Sequence, residues 1–124
     1  MAVTNYPDEV GQYIILPLHV CRQITASVTA IFRFKMPAKA TLIGVSASAR
    51  ASGGTTPTLT VDLLETGVSV LSAPIAVTAG AVAEGTITDK ELADEAVMTV
   101  NLAVTGTTPT WDDITVQIDM LRHS

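Results

Sequence analysis

The sequence predicts an all-β chain folded as a single antiparallel β-sandwich, with a jelly roll favoured and an immunoglobulin-like sandwich as the alternative. Three observations predict it. Apolar residues recur at every second position through most of the chain, as they do in strands with one buried face. Turn signals rich in Gly, Pro and Thr separate these short runs. No long pattern of helical period is present, and counting the runs leaves about eight strands, the number expected of a sandwich or barrel.

The first run, Tyr13 to Val20, is apolar on both sides through Ile14, Ile15, Leu16 and Leu18, and Pro17 restricts it to a sheet edge that either meets a partner or is covered on its outer side by the N-terminal arm. Residues 1–12 precede it as an N-terminal arm, leaving residues 13–124 as the sandwich. From Ala26 onward Val28, Ala30, Phe32, Phe34 and Met36 point one way, against Thr25, Ser27, Thr29, Arg33 and Lys35. Ile31 breaks that alternation, and Pro37 ends the run. In the next run Ile43, Val45, Ala47 and Ala49 are expected inside, with Gly44, Ser46, Ser48 and Arg50 outside. A loop over Ser52 to Pro57 is expected to follow.

Leu59, Val61 and Leu63 then alternate with Thr60 and Asp62, and Thr66-Gly67 reads as a hairpin turn into Val68 to Leu71. Pro74 to Val77 and Ala81 to Ile87 read as two further short strands. Thr88-Asp89-Lys90-Glu91 has the spacing of a capping box, which predicts a short helix continuing through Leu92 to Glu95. Two regular strands close the chain, one built on Met98, Val100, Leu102 and Val104, the other on Ile114, Val116, Ile118 and Met120.

Gly54-Thr55-Thr56-Pro57-Thr58 recurs residue for residue as Gly106-Thr107-Thr108-Pro109-Thr110. Proline fixes φ and threonine prefers extended backbone, so each copy is read as a stiff turn leading into a strand. The repeat is either a weak internal duplication or convergent loop chemistry, and loop chemistry is the preferred reading.

Composition sets the function classes. Hydrophobic residues make up 48% and charged residues 15% of 124 residues, and the mean hydropathy is +0.42. So apolar a surface is expected to be covered in part by another chain. A bilayer span needs roughly 20 consecutive apolar residues, and no run here is that long. The first residues lack a basic stretch followed by an apolar run, so the protein is expected to be made and used from the cytoplasm.

The net charge of −5 disfavours nucleic acid and anionic membranes as partners. It is unevenly spread. Residues 1–50 hold Arg22, Arg33, Lys35, Lys39 and Arg50 against Asp8 and Glu9, a balance of +3, whereas residues 51–124 hold Lys90 and Arg122 against ten acids, a balance of −8. Either complementary surfaces of this kind set register in an assembly, or both are simply solvated, and the two readings stand level.

Nothing in the sequence supplies a catalytic constellation. Cys21 is the only cysteine, so no intrachain disulfide forms, and it reads as a buried, inert thiol. His19 and His123 are the only histidines, too few and too distant for a cupin-type metal site within one chain; as the base of a nucleophilic triad neither is favoured, since His19 lies in an apolar strand and His123 is the penultimate residue. Asp89, Glu91, Asp94 and Glu95 lack the spacing of an EF-hand loop and read as a solvated turn. Asp112 and Asp113 are adjacent and cannot converge across a glycosidic bond from one strand. No catalytic, cofactor-binding or metal residues are therefore assigned, and no cofactor. The candidate contact residues are Tyr6, Tyr13, Ile15, Pro17 and Trp111. Trp111 is also the best single aromatic for a sugar-binding module, but a rim tryptophan covering the end of the core or filling an interface pocket is the preferred reading.

Residues 40–121, with small Ala, Thr, Val and Ser strands and Gly-Thr-Thr-Pro-Thr turns, resemble the jelly-roll structural proteins of tailed bacteriophages, especially capsid decoration or cement proteins. That resemblance implies many copies, often homotrimers, on the capsid exterior of the virion, clamping neighbouring major capsid proteins. It transfers no residue roles. The alternatives are a tail or fibre component and a carbohydrate-binding β-sandwich module.

Overall fold

Period-two patterning becomes ten strands in the computed structural model, which describes residues 12–123. They are β1 (Gln12–His19), β2 (Val28–Lys35), β3 (Ala40–Ser48), β4 (Ala51–Glu65), β5 (Val68–Ser69), β6 (Ile75–Val77), β7 (Val82–Glu84), β8 (Glu91–Leu92), β9 (Val97–Asp112) and β10 (Thr115–Arg122). One sheet has the order β1-β10-β3-β7, with β8 also beside β3; the other has the order β2-β9-β4-β5, with β6 also beside β4. Every strand pairing is antiparallel.

This order is a jelly roll. Taking β5 with β6 and β7 with β8 leaves eight strand positions, and β1/β2, β3/β4 and β9/β10 each split between the sheets. An immunoglobulin-like sandwich instead keeps several consecutive strands side by side in one sheet. Here only β4 and β5 are consecutive neighbours, so that alternative is excluded.

The inward residues interdigitate between the sheets. Leu59, Val61 and Leu63 of β4 and Met98, Val100 and Leu102 of β9 face Leu42, Val45 and Ala47 of β3 and Val116, Ile118 and Met120 of β10, all buried. Each fully buried Val, Leu, Ile or Met contributes about 1.5–3 kcal/mol relative to exposure. Among the described residues no polar or charged residue is buried.

Two breaks in alternation are β-bulges. On β2 the register shifts between Val28 and Phe32, Ala30 takes φ 54°, and its N–H is met by Asn101 Oδ1 at 2.7 Å. That is the break which Ile31 marks in the sequence. On β3 the register jumps from Gly44 opposite Asp119 to Leu42 opposite Met120, so Ile43 is the extra residue. Ile43 therefore lies outside, 49% exposed, and Leu42 takes the inward place expected for it.

The two Gly-Thr-Thr-Pro-Thr copies are not loops; they lie inside β4 and β9 and pair with each other. Gly53 opposes Thr110, Thr55 opposes Thr107 and Thr58 opposes Thr105, a register symmetric about a local two-fold axis. Gly54 (φ +96°) and Gly106 (φ +121°) take conformations open to glycine, and Thr56 (φ 44°) and Thr108 (φ 46°) are left-handed. Each of these threonine hydroxyls donates to the preceding carbonyl, at 2.8 Å in both copies. Each irregular segment thus pairs with its own copy.

No helix forms over Thr88–Glu95. Both the N–H and the hydroxyl of Thr88 bond the Val70 carbonyl, at 2.9 and 3.2 Å, and Asp89 Oδ1 accepts the Glu91 N–H at 3.3 Å. Leu92 is buried in β8 opposite Ala40. A helix this short is marginal unless packing supports it, and here strand pairing takes its apolar residue instead. The Thr66-Gly67 turn is as expected, with φ of 49° and 83°, the signs of a type I′ hairpin. No helix among the described residues is long and apolar enough to cross a membrane.

Candidate functional site

β1 is the edge of its sheet, paired to β10 alone among the described residues. Its alternation sends Ile14, Leu16 and Leu18 against the core and Tyr13, Ile15 and Pro17 outward. Tyr13 is 55% and Ile15 56% exposed. Cross-strand register extends this outer face over Leu121, Asp119 and Gln117 of β10, opposite Tyr13, Ile15 and Pro17. It continues over Thr41, Gly44 and Ser46 of β3 to Glu84 and Val82 of β7. The bulge adds Ile43, and Val82 is 70% exposed.

Asp119 lies at the centre of that face in a shallow depression walled by Ile43 and Val82 and shared with Glu84. Gly44 leaves it room, since a Cβ there would stand 3.6 Å from its Oδ2. Gln117 Nε2 donates to Asp119 Oδ1 at 3.1 Å, and no lysine or arginine lies within ion-pair distance of Asp119 among the described residues. The outward residues of this sheet thus carry Asp119, Glu84 and Glu91 without a lysine or arginine. The outward residues of the other sheet carry Arg33 and Lys35, with Lys35 3.2 Å from Glu95, against Asp62, whose Oδ1 accepts from Ser69 at 2.6 Å. The outer face of the β1 sheet is thus acidic, while on the other face Arg33 and Lys35 are balanced by Asp62 and Glu95.

Ile43, Val82, Glu84 and Asp119 are missed by the sequence reading. The available signal is a conflict of phase: Ala40-Leu42 and Val45-Ala47 both demand the inner face but are an odd number of residues apart, which requires a bulge between them.

The other sequence candidates separate. Tyr6 lies outside the described residues, as does the arm except for Gln12, which already belongs to β1. Trp111 is buried at the end of the core, in keeping with the preferred of its two readings: it is 2% exposed, its backbone exchanges two 2.9 Å hydrogen bonds with Ile24, and its indole N–H has no partner among the described residues. Cys21 is exposed, not buried, because Val20 before it takes the inward position.

His123 is tied down, donating its N–H to the Lys39 carbonyl at 2.8 Å and pairing its ring with Thr41. His19 lies at the far end of the same sheet, its Nδ1 3.1 Å from Thr115 Oγ1 and its Nε2 3.8 Å from Asp113. The acids of the 89–95 turn do not converge, and no group of three metal-ligating side chains gathers among the described residues.

At the corner joining β9 to β10, Arg50 hydrogen-bonds Asp113, and Gln23 Nε2 donates to Asp112 Oδ1 at 2.9 Å. The Arg50 hydrogen bond, aided by the charges of Arg50 and His19, holds the Asp113 carboxyl below its ordinary value of 3.8. The contribution of this exposed pair is present above the unfolded value and lost as pH falls through the lowered one. A carbon-detected NMR titration should place the Asp113 midpoint below 3.8, and Arg50→Gln should return it upward.

No protein-family model matches the sequence, and no curated protein matches it. Among solved structures, the chain is similar in fold to a chain of the cyanophage Pam1 capsid asymmetric unit, at 17% identity and a TM-score of 0.54, over 92% of this chain and 87% of that one.

Proposed function

We propose that the protein is a structural component of a phage particle, a decoration or cement protein that sits on the outside of the shell and stabilises it by bridging major capsid proteins. The observation that carries this reading is the fold likeness, which spans nearly the whole of both chains. The similar chain is therefore of about the same length, a small sandwich like this one and not one domain of a large shell subunit. The exposed apolar face of the β1 sheet supports it, because such a patch on a small domain marks an interface.

In this reading the sandwich is a rigid body made in the host cytoplasm, without enzymatic activity or cofactor, and assembled on the virion as homotrimers. Tyr13, Ile15 and Pro17, with the arm carrying Tyr6, contact neighbouring subunits of the shell. Deleting residues 1–11 should leave a folded domain, since β1 begins at Gln12, yet abolish attachment to particles. Co-sedimentation with particles and a thermal melt check both halves, and a truncated chain that attaches normally would remove the arm from the account.

A carbohydrate-binding module loses its support, because Trp111 is buried and Tyr13 is the one exposed aromatic among the described residues. A tail or fibre component differs from decoration in copy number, which is measurable.

A further inference from the structure

We infer that the outer face of the β1 sheet docks on a polypeptide other than this chain, one that presents lysine or arginine side chains among apolar ones. The inference rests on the proposed function, under which that polypeptide is the shell protein.

The face has the make-up of an interface centre. Tyr13, Ile15, Ile43 and Val82 are all large apolar side chains at least 49% exposed, and they surround half-buried Asp119. Asp119 has a hydrogen bond from Gln117 but no cation, and Glu84 shares its depression. An apolar rim excludes water and strengthens whatever charge interaction lies within it. Carboxylates held there without a cation call for a partner cation, and an unpaired charge in a closed interface would be costly.

The same charges argue against a second copy. Face-to-face pairing of two β1 sheets would set Asp119, Glu84 and Glu91 against their own counterparts. Pairing this face with the opposite one, where Arg33 and Lys35 stand but Lys35 is already paired with Glu95, joins opposite sides of the sandwich and generates an open stack, not a closed oligomer. A distinct basic partner satisfies the face without either consequence.

The test uses particles stripped of this protein and re-decorated with purified full-length chain at rising salt. Wild type should attach, and more weakly as salt increases. Asp119→Lys and Glu84→Lys should each weaken attachment by about tenfold or more. Ile15→Asp, on an exposed position, should do the same, and Arg33→Glu on the opposite face should not. Melts near the wild-type value certify folding, and if Asp119→Lys is unstable, Glu84→Lys and Ile15→Asp carry the test.

Wild-type attachment by all three face variants would overturn the inference while leaving the proposed function intact. So would loss on deleting residues 1–11 without loss in any face variant, which would give the contact to the arm alone. Failure of wild type to attach at all would remove the proposed function and this inference with it.

Discussion

Replacing Gly54 with alanine should destabilise the fold by about 3 kcal/mol, lowering the unfolding midpoint by roughly 10 °C. Two effects add. Gly54 holds φ +96°, which an L side chain rarely adopts, and its new Cβ would run into the Thr108 carbonyl oxygen and come within 2.8 Å of that of Thr107. Both obstacles are backbone in the facing strand and cannot swing aside. By the local two-fold symmetry, Gly106→Ala should cost a similar amount, because its Cβ would meet the Thr56 carbonyl oxygen at 2.8 Å.

The two segments touch, so the double variant should cost less than the sum of the singles: once one side has opened, the other meets less resistance. Gly67→Asn is the control. Gly67 also has a positive φ, but a Cβ there meets nothing within 4 Å, and asparagine tolerates this region. Thermal melts of the four variants check the set, and a Gly54→Ala melt as mild as that of Gly67→Asn would contradict the paired-bulge description.

Trp111→Ala should cost about 3–5 kcal/mol, as for other large aromatic residues removed from a core. The side chain is 2% exposed, at the end of β9 where Ile24 bridges it and the chain turns into β10. Trp111→Phe should cost much less, about 1 kcal/mol, because it keeps an aromatic ring and discards an indole N–H with no protein partner. Denaturant unfolding separates the two. The consequence for function is direct: any loss of binding in Trp111→Ala reports a damaged core, not a missing sugar contact.

The regular part of this fold is legible in the sequence and the irregular part is not, for a physical reason. Met98-Val100-Leu102 and Val116-Ile118-Met120 alternate without interruption, and both strands form as read. The jelly-roll preference holds, although alternation says which residues point inward and nothing about which strand pairs with which.

The misreadings arise where a long-range partner decides the local conformation. Gly-Thr-Thr-Pro-Thr has the composition of a turn, but its two copies are held in a paired, irregular strand conformation by each other. Thr88–Glu91 has the spacing of a helix start, but the Val70 carbonyl and Ala40 claim the segment for pairing. In the candidate site, Tyr13, Ile15 and Pro17 were recognisable from a doubly apolar edge run. Ile43 and Asp119 became neighbours only through a bulge and a cross-strand register, neither of which has a composition of its own.

The central claim, that this chain decorates a phage shell, is tested most directly by its copy number relative to the major shell protein in purified parent particles, measured by quantitative mass spectrometry. The account predicts hundreds of copies per particle; a handful would place the protein in the tail, and none would contradict a virion role altogether.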